Sequence, residues 1–159
     1  MMFNMKQFIS DTYHFILSIV MLLPIHNFRI FFLRFLRMKI GKHTAICRGV
    51  DIRTPYRVFI GSNTTVNKHV VLDGRGEIFI GSNVDIAQEV NIWSLQHDYN
   101  SSTYSTEKGT VIIEDYVWLA SRVLCCRVSL LVGVRWLERV VWSLKIFHPC
   151  VLQWETLLV

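Results

Sequence analysis

His97, in the run Gln96-His97-Asp98-Tyr99, is the residue of this chain best placed to move a proton. Imidazole is the one side chain whose ordinary titration falls near neutrality, so it can take up and return a proton at working pH. The segment around it, 93–112, is rich in Ser, Thr and Tyr and interrupts a regular pattern on either side. A polar excursion of that length from a repetitive scaffold is typically a functional loop. A lone loop histidine is more often just bonded to its neighbours, and His14, His26, His43, His69 and His148 take that reading. The four cysteines, Cys47, Cys125, Cys126 and Cys150, pair with no second Cys or His at zinc-finger spacing. No metal site is expected from them, nor a disulfide framework.

The elements that must position His97 are legible in a period of six. Aliphatic residues fall at Ile40, Ile46 and Ile52, then Ile60, Val66 and Leu72, then Ile80, Ile86 and Ile92. The steps are six residues, with eight at each change of triplet, and Ile60-Gly61-Ser62-Asn63 returns as Ile80-Gly81-Ser82-Asn83. Neither the 3.6-residue period of a helix nor the alternation of a simple strand gives that spacing. It fits a solenoid in which each hexapeptide forms one side of a triangular coil. One aliphatic per side points to the axis and stacks on its equivalent one coil away. A second inward position, four residues later, must be small or modest, as Thr44, Thr64, Val70, Val84, Val90 and Val117 are. Gly41, Gly61 and Gly81 follow the aliphatics and read as tight corners; Val58-Phe59 and Ile78-Phe79 read as widened ones. The register resumes after the loop, at Ile113.

Residues 1–39 lie outside the repeat. Asp11 is a candidate helix cap for an apolar body that Pro24 ends, and 28–37 is a second candidate helix carrying Arg29, Arg34 and Arg37. These helices are expected to cap the open end of the solenoid. A compatible reading makes 28–37 a basic amphipathic face for peripheral contact with an anionic membrane. Three parts follow: a helical cap 1–39, a β-helix 40–123 with its active-site loop 93–112, and a tail 124–159.

Composition narrows the function. The 159 residues suit one domain, and 52% hydrophobic residues exclude a disordered chain. No apolar run approaches the ~20 residues of a membrane-spanning helix, and a secretory signal is not expected at the N-terminus. Residues 1–57 carry nine basic and two acidic residues, against eight and ten in 58–159. Basicity confined to one segment argues against nucleic acid as a partner. Cysteine usage makes the cytoplasm the expected compartment, with the inner membrane face as an option.

The Ile-Gly-x-Asn hexapeptides, the Gln96–Tyr99 loop motif and the run Ile113-Glu-Asp-Tyr-Val-Trp-Leu-Ala-Ser121 together resemble the hexapeptide-repeat O-acetyltransferases. These are all-β proteins built on a left-handed parallel β-helix. The likeness, over 28–123, is nearest the branch that modifies surface polysaccharides, colanic acid included, and galactosides or maltose. It implies an acetyl-CoA-dependent transfer to a sugar hydroxyl. It also implies a homotrimer with acetyl-CoA in the groove between neighbouring prisms. It puts the catalytic base at His97, a substrate contact at Asn67 and the coenzyme groove at Trp118 and Ser121, while Asp98 and Tyr99 are candidates either to orient His97 or to contact the sugar as substrate-binding residues. Direct transfer is favoured over an acyl-enzyme, since no Cys or Ser sits beside a base in the motif. The alternatives are a small-molecule acetyltransferase acting on a galactoside, maltose or serine, and a decayed solenoid without activity.

The resemblance stops after Val123, where relatives continue with further coils. Degenerate codons for Leu124–Arg127, re-read at one constant offset, spell Val-Leu-Pro-Gly. At the same offset 143–149 yields Thr-Lys-Asp and 154–158 yields Gly-Asn-Pro-Ala, all segments of the family's ending. A frame error is the expected origin of 124–159. A tail without the aliphatic register is expected not to stack on the Ile113 coil and to leave the enzyme impaired.

Overall fold

The computed structural model describes residues 5–98, 101–126 and 130–131. The first coil comprises β1 (Lys39–Ile40), β2 (Ala45–Ile46) and β3 (Asp51–Arg53). The second comprises β4 (Val58–Ile60), β5 (Thr65–Val66) and β6 (Val71–Asp73), and the third β7 (Ile78–Ile80), β8 (Asp85–Ile86) and β9 (Asn91–Trp93). A hairpin, β10 (Leu95–His97) and β11 (Thr106–Lys108), leaves the coil there. The fourth coil is β12 (Val111–Ile113), β13 (Trp118–Leu119) and β14 (Leu124–Cys125), followed by β15 (Leu130–Leu131). Strands pair in parallel with their equivalents one coil away, giving three sheets in the orders β1-β4-β7-β12-β15, β2-β5-β8-β13 and β3-β6-β9-β14.

The six-residue aliphatics form the columns expected of them. Ile40, Ile60, Ile80 and Ile113 are in register on the first sheet. Ile46, Val66, Ile86 and Leu119 follow on the second, and Ile52, Leu72, Ile92 and Cys125 on the third. All but Ile40 are buried. Each such side chain contributes about 1.5–3 kcal/mol by leaving water. Thr44, Thr64, Val70, Val84, Val90 and Val117, four residues after the aliphatics, are buried as well. The residue before each of these inward positions, three after an aliphatic, has positive φ: His43, Asn63, Asn83 and Tyr116 at one edge, Gly49, His69, Glu89 and Arg122 at the next. A left-handed residue at these two edges turns the chain onto the next face of the prism.

Several details differ from the sequence reading. The pattern does not stop at Val123: Cys125 occupies Ile92's column and Leu131 pairs with Ile113. The step from Ile113 through Leu119 and Cys125 to Leu131 stays at six, because a cysteine is small and apolar enough to fill an inward site. The rest of the tail, and with it the out-of-frame reading, lies outside the described residues. Val58 and Ile78 are fully buried within strands, and the extra residues of the longer step sit in 3-10 turns at Pro55–Arg57 and Gly74–Gly76. Gly41, Gly61 and Gly81 are required by space rather than by dihedral angle. A Cβ on Gly41 or Gly61 would lie 2.5–2.6 Å from backbone of the following coil, and one on Gly81 would lie 2.3 Å from Asp115 Oδ1.

Two helices cover the first coil. Helix α1 runs Met5–Leu22, so Asp11 is mid-helix, accepting from Gln7 Nε2 at 2.9 Å, and caps nothing. No helix breaker separates Met5 from Leu22, and local helix propensity carries the helix past Asp11. Helix α2 runs His26–Phe35 and ends in a Schellman turn, with Met38 N–H donating to Leu33 O at 3.0 Å and Arg37 at φ 65°. Between coils, the N–H of one coil donates to a carbonyl of the next, as Gly41 does to Ile60 O and Cys47 to Val66 O. The corresponding carbonyls of coil 1 have no preceding coil, and arginines of α2 take its place. Arg29 Nη2 donates to Ile46 O at 3.0 Å and Nη1 to Leu23 O, while Arg34 Nη2 donates to Ile40 O at 3.0 Å. Two of the three arginines in 28–37 are therefore directed at the solenoid end.

Candidate active site

The His97 hairpin replaces a corner. Coils 1 and 2 close from the third sheet to the first through the two 3-10 turns, and at the same edge of coil 3 the chain instead runs out through β10 and returns through β11. The hairpin is antiparallel, pairing Leu95 with Lys108, Gln96 with Glu107 and His97 with Thr106. Its base is bolted to the coil below by Ser94, which is fully buried. The Ser94 hydroxyl accepts from Gly76 N–H at 2.6 Å and donates to Asp73 O, and Gly109 N–H donates to Ser94 O at 2.9 Å. Asp73, also buried, takes the Arg75 guanidinium at 2.5 Å on Oδ2 and the Arg75 N–H on Oδ1. That contact raises the Arg75 pKa, chiefly through the side-chain hydrogen bond.

At the outer end, His97 is exposed and its Nδ1 lies 2.7 Å from Tyr104 O. A carbonyl oxygen only accepts, so Nδ1 carries the hydrogen, and the neutral ring then has its lone pair on Nε2. The segment 101–105 that presents Tyr104 O is hydrogen-bonded within itself and to Asp98. Tyr104, at φ 50°, donates its N–H to Ser101 O at 3.1 Å, Ser101 Oγ accepts from the N–H groups of Thr103 and Ser105, and Asp98 N–H donates to Ser105 O. The arrangement holds an imidazole in one tautomer, with its basic nitrogen turned away from the carbonyl that fixes it.

The other expected residues are not gathered around His97. Asn67 lies at the edge between the second and third sheets, and its Nδ2 donates to Asp85 Oδ1 at 3.1 Å and Ile86 O at 2.9 Å. Both amide hydrogens are used, leaving Oδ1 as its acceptor. Trp118 stands on the outer face of the second sheet beside Asp85, 44% exposed. Ser121 is exposed at the turn that follows. Asp98 is half-buried next to His97, and Tyr99 lies outside the described residues. The hairpin springs from one edge of the prism, while Trp118, Ser121 and Asn67 occupy another face and its far edge.

Sequence reasoning did not single out Ser94, Asp73 or Tyr104. Tyr104 acts through its backbone, which no side-chain pattern reveals, and only the small polar residue directly after Trp93 could have drawn attention to Ser94. Cys125 is chemically quiet: burial first, and Cys126 second, push its thiol up to about 12. Among the described residues there is no group of three or more His, Cys, Asp or Glu that could hold a metal ion.

No family model matches the chain, and no curated protein does. Among solved structures, a hexapeptide-repeat-containing acetyltransferase from Vibrio cholerae is similar, with a TM-score of 0.68 and 21% identity over 79% of this chain and 73% of that one. A mutant of AntD, an N-acyltransferase from Bacillus cereus solved with dTDP and coenzyme A, gives a TM-score of 0.45 and 15% identity over 61% of this chain and 68% of that one. A likeness at 21% identity shows architecture, and together with the strand register it makes this chain a left-handed parallel β-helix.

Proposed function

We propose that the protein is an acyltransferase that moves the acetyl group of acetyl-CoA to a sugar hydroxyl in surface polysaccharide synthesis. The observation that carries this reading is the His97 Nδ1 contact with Tyr104 O, which leaves Nε2 as a base at the rim of a rigid scaffold. The acceptor hydroxyl gives its proton to Nε2 as its oxygen attacks the thioester carbonyl carbon. The tetrahedral intermediate collapses with cleavage of the C–S bond, and the departing sulfur takes the proton back from the imidazolium. Tyr104 O receives the Nδ1 hydrogen throughout, so the ring keeps its orientation while Nε2 gains and loses the proton. No acyl-enzyme is needed.

The separation of His97 from Trp118 and Ser121 supports a site shared between copies. One prism presents the base at one edge and the expected coenzyme-groove residues elsewhere, and a homotrimer would bring the hairpin of one subunit to the groove beside the next. In that setting Asn67 would meet the acceptor through Oδ1, while Asp98 and Tyr99 flank the base. The polysaccharide acceptor rests on the likeness of 28–123 to that branch. The out-of-frame reading of 124–159 adds that this chain is slowed by loss of the family's own C-terminal coils, whatever continuation β15 begins.

The test is release of free thiol from acetyl-CoA in the presence of glycan repeat units, galactosides, maltose or serine. The expected result is slow release with a glycan acceptor, faster once the frame of 124–159 is restored. His97→Gln should then cost about 10²–10⁴ in kcat at an unchanged melting temperature. Ordinary turnover by this chain would overturn the impairment, and no release by either form would overturn acyl transfer.

A further inference from the structure

More large apolar side chains of the two helices are exposed than are fully buried, the buried ones being Leu17, Met21, Ile30 and Leu33. Of the twenty large apolar side chains exposed among the described residues, thirteen lie between Met5 and Phe35. At ~100° per residue, the exposed apolar positions of α1 occupy one half of its circumference, including Phe8, Phe15, Ile19 and Leu22. Leu17 and Met21, the side chains α1 buries on the coil, lie on the opposite half. Phe31 and Phe35 of α2 are 68% and 74% exposed. A contiguous face of this size is not left to water without a function. No helix among the described residues is long and apolar enough to cross a membrane.

We infer that this face of α1 and α2 lies on an anionic lipid surface and holds the solenoid end-on against it. Charge selects lipid as the occupant. The apolar face belongs to the basic part of the chain, with nine basic and two acidic residues in 1–57, whereas 58–159 has more acidic than basic residues. Arg37, Lys39, Lys42 and Arg48 are exposed beside the cap, where they would meet phosphates while the apolar half enters the acyl boundary. The contact differs from a basic face on 28–37. Arg29 and Arg34 are spent on coil 1 carbonyls, so insertion rests on the aromatic and aliphatic residues of both helices. The inference is independent of acyl transfer, because none of its residues belongs to the hairpin that carries His97.

Sedimentation of the full chain with phosphatidylcholine vesicles containing a quarter phosphatidylglycerol tests it. Binding is expected, weaker by tenfold or more on pure phosphatidylcholine or at 0.5 M salt. Phe15→Ser with Ile19→Ser should weaken it by tenfold or more, with helix content unchanged by circular dichroism, while Ile112→Ser on the solenoid leaves it intact. Absence of vesicle binding would overturn the inference, as would binding indifferent to the α1 substitutions. So would a vesicle-free sedimentation experiment in which the same substitutions split an oligomer, since the face would then join copies of the chain.

Discussion

A single methyl group at residue 61 tests the stacking of coils. In Gly61→Ala the new Cβ would lie 2.6 Å from Gly81 C and Ser82 Oγ and 2.7 Å from Gly81 O. Carbon contacts relax near 3.5 Å, so the second and third coils would have to part locally by about 0.9 Å. Gly61 N–H donates to Ile80 O at 2.8 Å and Asn83 N–H to Ser62 O at 2.9 Å; opened that far, both bonds leave the ~2.7–3.2 Å range. Two lost bonds at about 1 kcal/mol each and at least ~1 kcal/mol of overpacking give roughly 3 kcal/mol. At about 3 °C per kcal/mol for a chain of this size, the melting temperature should fall by roughly 10 °C in a calorimetric or circular-dichroism melt. Asn63→Gly, two residues along the same corner at φ 56°, is the control, and should stay within about 0.5 kcal/mol because glycine accepts that dihedral freely. A Gly61→Ala protein melting within 2 °C of the parent would refute the argument that space between coils demands the glycine.

Arg29→Met should cost about 2–3 kcal/mol in denaturant titrations, because it strips charged donors from the buried carbonyl of Ile46 and the part-buried carbonyl of Leu23; Arg34→Met, at an exposed site, should cost less. Ser94→Ala should speed exchange of the Gly76 amide at least tenfold and lower kcat/KM while His97 is untouched, since the hairpin loses its bolt to the coil below. Glu89 is held below the usual carboxylate range by its hydrogen bond to Arg122. A lowered folded pKa contributes stability above the unfolded value, and that contribution fades as pH falls through the lowered one. Arg122 is exposed and Glu89 half-exposed, within reach of solvent, so Glu89→Gln should barely alter a pH–stability profile, and less still in high salt.

The repeat was legible because one physical requirement, an inward aliphatic on each side of a coil, writes itself into the sequence every sixth position. Ile60 stacks on Ile80 for the reason their spacing suggested. The same template hid the fourth coil's continuation, because Cys125 fills an aliphatic column without being aliphatic. The corner glycines were found for the wrong reason. Their dihedral angles are ordinary, and what they spare is the backbone of the next coil, a distance no local pattern encodes. The α2 arginines looked like a surface charge, yet Arg29 and Arg34 finish the hydrogen bonding of coil 1, a need visible only once the coil's open end exists. Within the candidate site, His97 could be read from its motif. Its tautomer could not, because a backbone carbonyl seven residues away sets it.

The direct test of the central claim is the tautomer of His97, read from ¹⁵N shifts and long-range ¹H–¹⁵N couplings of the imidazoles near pH 8, with His97→Gln assigning the resonance. A neutral ring protonated at Nδ1, with Nε2 as the unprotonated nitrogen, is the predicted state. A ring protonated at Nε2, or one exchanging freely between tautomers, would mean that Tyr104 does not hold it, and the base assigned to this hairpin would be lost.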